Sequence, residues 1–125
     1  MRKKRIFYNS DVLPFLIHGK AAIDKLERNL ELFYDHREEV VLVWHIYYRM
    51  QEFLELNESP VAEDFKKICE RYIEGGWGEL DETCDKGEEI FDVLKGCDAY
   101  YGDTSRLVAC ARENEIPVMM QNVEV

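Results

Sequence analysis

The run Val40–Trp44, VVLVW, constrains the fold of this chain more than any other segment. It is short, rich in β-branched residues and apolar at every position. A strand that is apolar at every position buries both of its faces, and such strands occur in parallel sheets that helices cover on both sides. The sequence therefore predicts a helix-covered parallel sheet with this run near its centre.

Strand-like and helix-like segments alternate along the chain, which is typical of βαβ units with right-handed crossovers. Strands are predicted at 5–8, 40–44, 77–80, 97–101 and 118–122, and helices at 19–36, 46–56, 60–74, 85–95 and 105–114, with a loop at 9–14. We therefore predict a single α/β domain over residues 1–125, a three-layer Rossmann-like fold with about five parallel strands in the order 3-2-1-4-5.

Charge and cysteine usage narrow the classes of function. The formal net charge of −10 disfavours nucleic acid as a partner, because an acidic surface repels phosphate backbones. No apolar run approaches the length of a membrane span, and the N-terminal segment does not fit a signal peptide. The four cysteines lack a C-x-x-C pair and none lies near a histidine, so no metal is expected. We expect a cytoplasmic protein with reduced thiols.

The segment Lys95–Val118 is the most informative about function, because it combines a strand, a tight turn and a helix. Gly102, Asp103, Thr104 and Ser105 form the turn. In one interpretation the turn binds a phosphate through backbone N–H groups and Ser105, while Arg106 neutralises charge. In the other, Asp103 or Thr104 simply caps the helix. Asp103 would repel a phosphate, and it fits better as a cap or as an acceptor for a sugar hydroxyl.

Further polar residues follow the other predicted strands. Asn9 and Ser10 lie in the first loop, near the topological switch point where open α/β sheets bind ligands. His45 lies at the carboxyl end of the second strand and is the candidate for proton transfer. His18 either approaches a phosphate from the same edge or begins a helix in solvent. Asp98, inside a buried strand, must be hydrogen-bonded, and a structural role is favoured over a catalytic one.

Several motifs of known chemistry are missing from the sequence. It contains no G-x-G-x-x-G, no Walker loop and no G-x-S-x-G. The aromatic residues near the predicted edge favour a core or an interface over a stacking platform for a base. The motifs therefore predict neither a reaction nor a cofactor.

Five segments in order resemble the C-terminal half of GT-B type glycosyltransferases, near the bacterial CDP-glycerol glycerophosphotransferase and polysaccharide-biosynthesis group. They are KRIFYNSDVLPFL followed by HG, then EVVLVW, GGWGELDET, CDAYYGDTS and IPVMMQNVEV. The resemblance implies a Rossmann-like domain that holds the nucleotide part of a nucleotide-sugar donor. It also implies that catalysis requires a separate N-terminal domain.

Two departures from that group bear on function. The group carries Arg-Pro-His-Pro after the second strand, whereas here Trp44 is followed by His45-Ile46-Tyr47-Tyr48. The group has Gly-Ser-Ser or similar after Gly-Asp, whereas this chain has Thr104-Ser105-Arg106. We therefore expect a donor-binding domain that is not catalytically complete alone. The alternative is a non-catalytic interaction or scaffold module, with a homodimer formed through the last strand.

Overall fold

The computed structural model describes residues 3–84 and 87–120. Its elements in chain order are β1 (Lys4–Ser10), α1 (Leu13–His18), α2 (Lys20–Asp35), β2 (Val40–Ile46), α3 (Met50–Leu56), α4 (Ala62–Glu74), β3 (Glu79–Asp81), α5 (Glu89–Lys95), β4 (Ala99–Gly102), α6 (Leu107–Glu113) and β5 (Val118–Met120). All strand pairs are parallel, in the order β3-β2-β1-β4-β5. The predicted fold class and strand order are confirmed.

Two buried clusters cover the two faces of the sheet. The first joins Tyr8 and Trp44 of the sheet to residues of α1, α2, α3 and α4, such as Ile23 and Phe65. The second joins the oppositely directed residues of the same strands to α5 and α6. Because side chains alternate along a strand, β1 and β2 contribute to both clusters and lie between them.

The order in which strands are added to the sheet reverses at β1. The chain adds β2 and β3 on one side of β1, and then crosses to add β4 and β5 on the other. The helices after β1 and β2 cover one face, whereas the helices after β3 and β4 cover the other. The loops that follow β1 and β4 therefore leave the sheet toward opposite faces. This arrangement is the topological switch point at which open α/β sheets bind ligands.

The structure differs from the sequence prediction mainly at the ends of elements. The predicted loop at 9–14 is too long and is confirmed only for residues 11 and 12, because β1 continues through Ser10 and α1 begins at Leu13. Pro14 lies in the first turn of α1, where its missing N–H has no helical partner to lose. Ser59 and Pro60 precede α4 rather than begin it, because a turn closed by Ala62 N–H on the Ser59 carbonyl comes first. Residues 121 and 122 of the predicted last strand lie outside the described residues.

Asp98 has the hydrogen-bond partner that a carboxylate near a buried strand requires. Asp98 is hydrogen-bonded through Oδ2 to the backbone N–H of Arg5, at 2.7 Å, next to a backbone bond in the opposite sense. This bond matches the structural role favoured from the sequence.

No helix among residues 3–84 and 87–120 is both long and apolar enough to cross a membrane.

Candidate functional site

Four neighbouring positions form a lateral row at the carboxyl edge of the sheet. Asp81, His45, Asn9 and Gly102 are consecutive partners in the registers of β3, β2, β1 and β4. The tertiary structure thus brings together three residues that the sequence placed at the edge. It adds Asp81, which the sequence analysis missed because the predicted third strand stopped at Leu80.

Asn9 joins the ends of β1 and β4. Its side-chain amide donates to the Tyr100 hydroxyl at 3.0 Å and to the Asp103 carbonyl at 3.2 Å, and the Tyr100 hydroxyl itself donates to that carbonyl. The Asn9 carbonyl accepts from the Asp103 N–H at 3.0 Å. Asn9 is 2% exposed. Its polar groups therefore hold the end of β4 and the start of the following loop against β1.

Asp103 connects the two loops through its side chain. Its Oδ2 accepts from the Asp11 N–H at 2.9 Å, so the loop after β4 is bonded to the loop after β1. It also lines a very small pocket together with Tyr8, Phe15 and Lys25. Burial is the main cause that raises the pKa of Tyr8 far above its usual value, and the Asp103 charge adds to this effect. The pocket thus has a neutral phenol beside a carboxylate and an ammonium group.

Ser10 points to the opposite face of the sheet from Asn9. Its hydroxyl accepts from Trp44 Nε1 at 3.0 Å, and its carbonyl accepts from the Tyr47 N–H at 3.2 Å. Because it is 1% exposed, Ser10 satisfies a buried indole and fixes the chain after β2. Its predicted ligand contact stays a prediction.

The turn after β4 combines buried and accessible groups. Gly102 and Asp103 are buried, Ser105 is half-buried, and Thr104 and Arg106 are exposed. The Ser105 hydroxyl accepts from the Leu107 N–H at 3.1 Å, so it satisfies a donor at the start of α6. The Arg106 guanidinium donates to the Gly87 carbonyl and lies 4.6 Å from the centre of the Phe91 ring. Thr104 and Arg106 are the groups of this turn that solvent reaches most directly.

His45 has a carboxylate partner that the sequence did not indicate. Its Nδ1 lies 2.6 Å from Asp81 Oδ2, and Thr83 Oγ1 donates to Asp81 Oδ1 at 2.7 Å. The imidazole is fully buried and stacks on the Phe7 ring, with centroids 5.4 Å apart. Burial acts to raise the pKa of Asp81, but hydrogen bonds from His45 and Thr83 outweigh it and hold the pKa below its usual value.

His18 lies away from the row of four residues. It ends α1 and is half-buried, and it lines an open groove together with Ile17, Gly19, Asn57 and Pro60. This groove shares Phe15 with the pocket at Asp103, but it is lined neither by Asp103 nor by any of the four residues of the row. The structure therefore separates His18 from the other predicted site residues.

The parallel sheet, its switch point and the polar edge define the chain as a Rossmann-like α/β domain. Comparisons with protein-family models, with curated proteins and with solved structures gave no match.

Proposed function

We propose that the chain binds the phosphate-bearing part of a nucleotide or nucleotide-sugar at the switch point between β1 and β4. The observation that carries this proposal is the Asp103–Asp11 hydrogen bond, which fixes two loops that leave the sheet toward opposite faces. Such loops flank a crevice outside the carboxyl ends of the strands, where ligands of this class bind. The bond prepares this edge before any ligand arrives, which reduces the entropy lost on binding.

Charge and exposure support an orientation for the ligand. Arg106 and Thr104 are exposed beside the switch point, and a planar guanidinium can donate two parallel hydrogen bonds to two oxygens of a phosphate. Asp103 carries the opposite charge, so we place a ribose or sugar hydroxyl on its side and the phosphate on the Arg106 side. The fully buried His45 stays the candidate for proton transfer that the sequence predicted, and the proposal includes no cofactor.

The proposed role follows the resemblance to the donor half of GT-B glycosyltransferases. The chain would act in bacterial polysaccharide biosynthesis in the cytoplasm, and a separate domain would supply the acceptor side of the cleft. Because the Arg-Pro-His-Pro element is replaced by His45-Ile46-Tyr47-Tyr48, we propose binding rather than complete catalysis for this chain alone.

Calorimetry and thermal shift with CDP, UDP, GDP and their sugar conjugates test the proposal. A ligand at 100 times its dissociation constant should stabilise the fold by about 2.7 kcal/mol. Arg106→Gln should weaken binding by about tenfold or more, because a charge-assisted hydrogen bond contributes roughly 1.5–3 kcal/mol. Arg112→Gln, an exposed arginine at the other end of α6, is the matched control. Absence of heat with every ligand at millimolar concentration would contradict the proposal.

The second candidate is a non-catalytic scaffold that forms a homodimer through β5. The observation that favours it is the exposure of Met119 and Met120 on an edge strand of the sheet, at 65% and 43%. Edge strands that carry no charge invite pairing with another strand. Sedimentation over a concentration series should show a dimer that Met119→Lys abolishes, whereas a monomer mass at all concentrations would exclude this candidate.

A further inference from the structure

The short helix α1 is apolar on both its inner and its outer face. Its six residues, Leu13–His18, include no lysine, arginine, aspartate or glutamate. Phe15 is buried and packs on a phenylalanine of α4, whereas Leu13, Leu16 and Ile17 are 56%, 36% and 69% exposed. Their spacing of three and four residues places these three side chains on one face of the helix. Because a helix that is apolar all round is normally covered on every side, this outer face indicates an interaction surface.

An open groove lies beside the outer face of α1. Ile17 and Gly19 are among the residues that line one side of it, and Asn57 and Pro60, in the loop between α3 and α4, line the other. Leu56, which directly precedes Asn57, is the last residue of α3 and is 70% exposed. Both sides of the groove therefore carry or adjoin a large exposed apolar side chain.

The side of the groove that belongs to α3, α4 and their loop is acidic. Residues 50–65 include five carboxylates and no lysine or arginine. Three of these carboxylates are exposed, on Glu55, Glu58 and Glu63. The cation that follows α1, Lys20, already forms an ion pair of 3.0 Å with an aspartate of α2. The groove thus combines apolar side chains with negative charge, so its complement is a surface that is apolar and positively charged.

We propose that this groove binds a basic amphipathic helix of a partner protein. The apolar face of that helix would cover Leu13, Ile17 and Leu56, and its lysines or arginines would lie beside Glu55 and Glu58. Recognition of a helix in a groove uses apolar residues of the partner at positions i, i+3, i+4 and i+7, which match a surface of this kind. The proposal is independent of nucleotide binding at the switch point.

Charge and geometry argue against three other occupants. A second copy would bring a chain of net charge −10 against an acidic groove. An anionic lipid surface would meet the same repulsion from Glu55, Glu58 and Glu63. The chain's own basic residues at the start of β1 lie at the opposite edge of the sheet, roughly 20 Å from the end of that strand. A basic helix of another protein is the occupant that meets neither obstacle.

Two fluorescent peptides of about 18 residues, long enough to form a helix, test the proposal on the unmodified chain. Both have leucine at positions i, i+3, i+4 and i+7, and the remaining positions are lysine in one peptide and glutamate in the other. By fluorescence anisotropy we expect the lysine peptide alone to bind, with an affinity that falls as salt is added. A dissociation constant of the lysine peptide above about 1 mM, or equal binding of both peptides, would overturn the proposal.

Ile17→Ser tests whether the peptide occupies the groove, and the exposure of Ile17 makes the substitution compatible with folding. We expect the lysine peptide to bind about tenfold more weakly, because a large apolar contact is lost. Leu32→Ser is the matched control, since Leu32 is 55% exposed on α2 and does not line the groove. Glu58→Gln should also weaken binding, whereas Glu31→Gln, on the exposed surface of α2, should not. Equal effects of Ile17→Ser and Leu32→Ser would overturn the proposal.

Three further measurements separate the basic helix from the other occupants. On addition of the lysine peptide, backbone amide shifts should be largest in residues 13–20 and 55–60, and shifts spread evenly over the chain would overturn the proposal. Sedimentation of the free chain should show no dimer that depends on Ile17, because such a dimer would assign the groove to a second copy. Binding to vesicles of phosphatidylcholine and phosphatidylserine that Ile17→Ser abolishes would assign it to a membrane.

Discussion

Gly102 shows how a single residue allows two strands to meet at the proposed site. Its φ is 127°, a region in which side chains are strained, and a Cβ built there would lie 2.3 Å from the Asn9 carbonyl oxygen. The backbone of β4 therefore approaches β1 more closely than any other residue type allows. The hydrogen bonds of Asn9 and Asp103 depend on this approach.

Gly102→Ala should lower the free energy of unfolding by about 3 kcal/mol or more, because backbone strain alone costs roughly 1–3 kcal/mol and a clash with backbone adds to it. Urea denaturation measures the change. Gly76→Ala is the control, since Gly76 has a φ of 63° but no atom within 4 Å of the added Cβ. Equal losses in the two variants would show that the clash with Asn9 contributes nothing.

At the scale of elements, two serines precede helices: Ser105 lies two residues before α6, and Ser59 lies three residues before α4. The Ser105 hydroxyl accepts from the Leu107 N–H at 3.1 Å before α6, and the Ser59 hydroxyl accepts from the Val61 N–H at 3.4 Å before α4. In each pair the acceptor precedes the donor by two residues. The difference in length makes the first bond the stronger one.

Ser105→Ala should therefore reduce the free energy of unfolding by about 1 kcal/mol, the usual contribution of a hydroxyl that satisfies a helix-terminal donor. Ser59→Ala should cost less, because its bond is at the limit of hydrogen-bond length. Chemical denaturation of both variants provides the comparison. A larger loss in Ser59→Ala than in Ser105→Ala would contradict the conclusion that the Ser105 bond is the stronger of the two.

The short strand β3 is held to its neighbours by two charged pairs. Arg5 reaches from β1 to form two hydrogen bonds with Glu79, at 2.7 and 2.9 Å, and His45 contacts Asp81. The hydrogen bonds from Arg5 are the main cause that holds the pKa of Glu79 below its usual value. Because β3 has three residues, these side chains supplement a small number of backbone bonds.

In the unfolded chain the pKa values are near 3.8 for Asp81 and 4.5 for Glu79, and folding lowers the pKa of both carboxyl groups. Their stabilisation is present above these unfolded values and is lost as the pH falls through the folded ones. Urea midpoints measured between pH 6 and pH 3 should therefore fall less steeply in Glu79→Gln or Asp81→Asn than in the unmodified protein. Glu31→Gln, on the exposed surface of α2, is the control and should retain the full slope.

At the scale of the whole molecule, the two buried clusters share the strands of one sheet. Trp44 lies in the cluster of α1 to α4, and Cys97 and Cys110 lie in the cluster of α5 and α6. Removal of either helical layer would expose an apolar face of β1 and β2 to water. We therefore expect the two layers to unfold in one cooperative transition.

Ile90→Ala should reduce the free energy of unfolding by about 2–5 kcal/mol, because Ile90 is fully buried in the second cluster. The tryptophan fluorescence, which comes from Trp44 and Trp77, and the reactivity of the buried thiols of Cys97 and Cys110 should shift to the same new urea midpoint, although only the thiols lie in the layer of the mutation. Ile23→Ala, in the first cluster, should shift both signals in the same way. Separate midpoints would show that the layers unfold independently.

The sequence alone determined the class of fold, because it depends on local patterns. Continuous apolarity in Val40–Trp44 requires burial on both faces, and the period of α2 is visible in its apolar residues. The placement of Asn9, His45 and Gly102 at one edge followed from the rule that parallel strands end at the same side. The end of β1 and the start of α1 were missed, since Pro14 is compatible with both a loop and the first turn of a helix.

Only the tertiary structure decided which polar groups meet. Asp81 is 36 residues from His45 in the chain, and the Asp103 carboxylate bonds a backbone N–H 92 residues away. A shift of one residue in the strand register moves a side chain from one face of the sheet to the other. Sequence patterns locate the ends of strands with an error larger than one residue. Composition and periodicity therefore determined that this chain has a polar edge, while strand register and loop contacts decided which atoms form it.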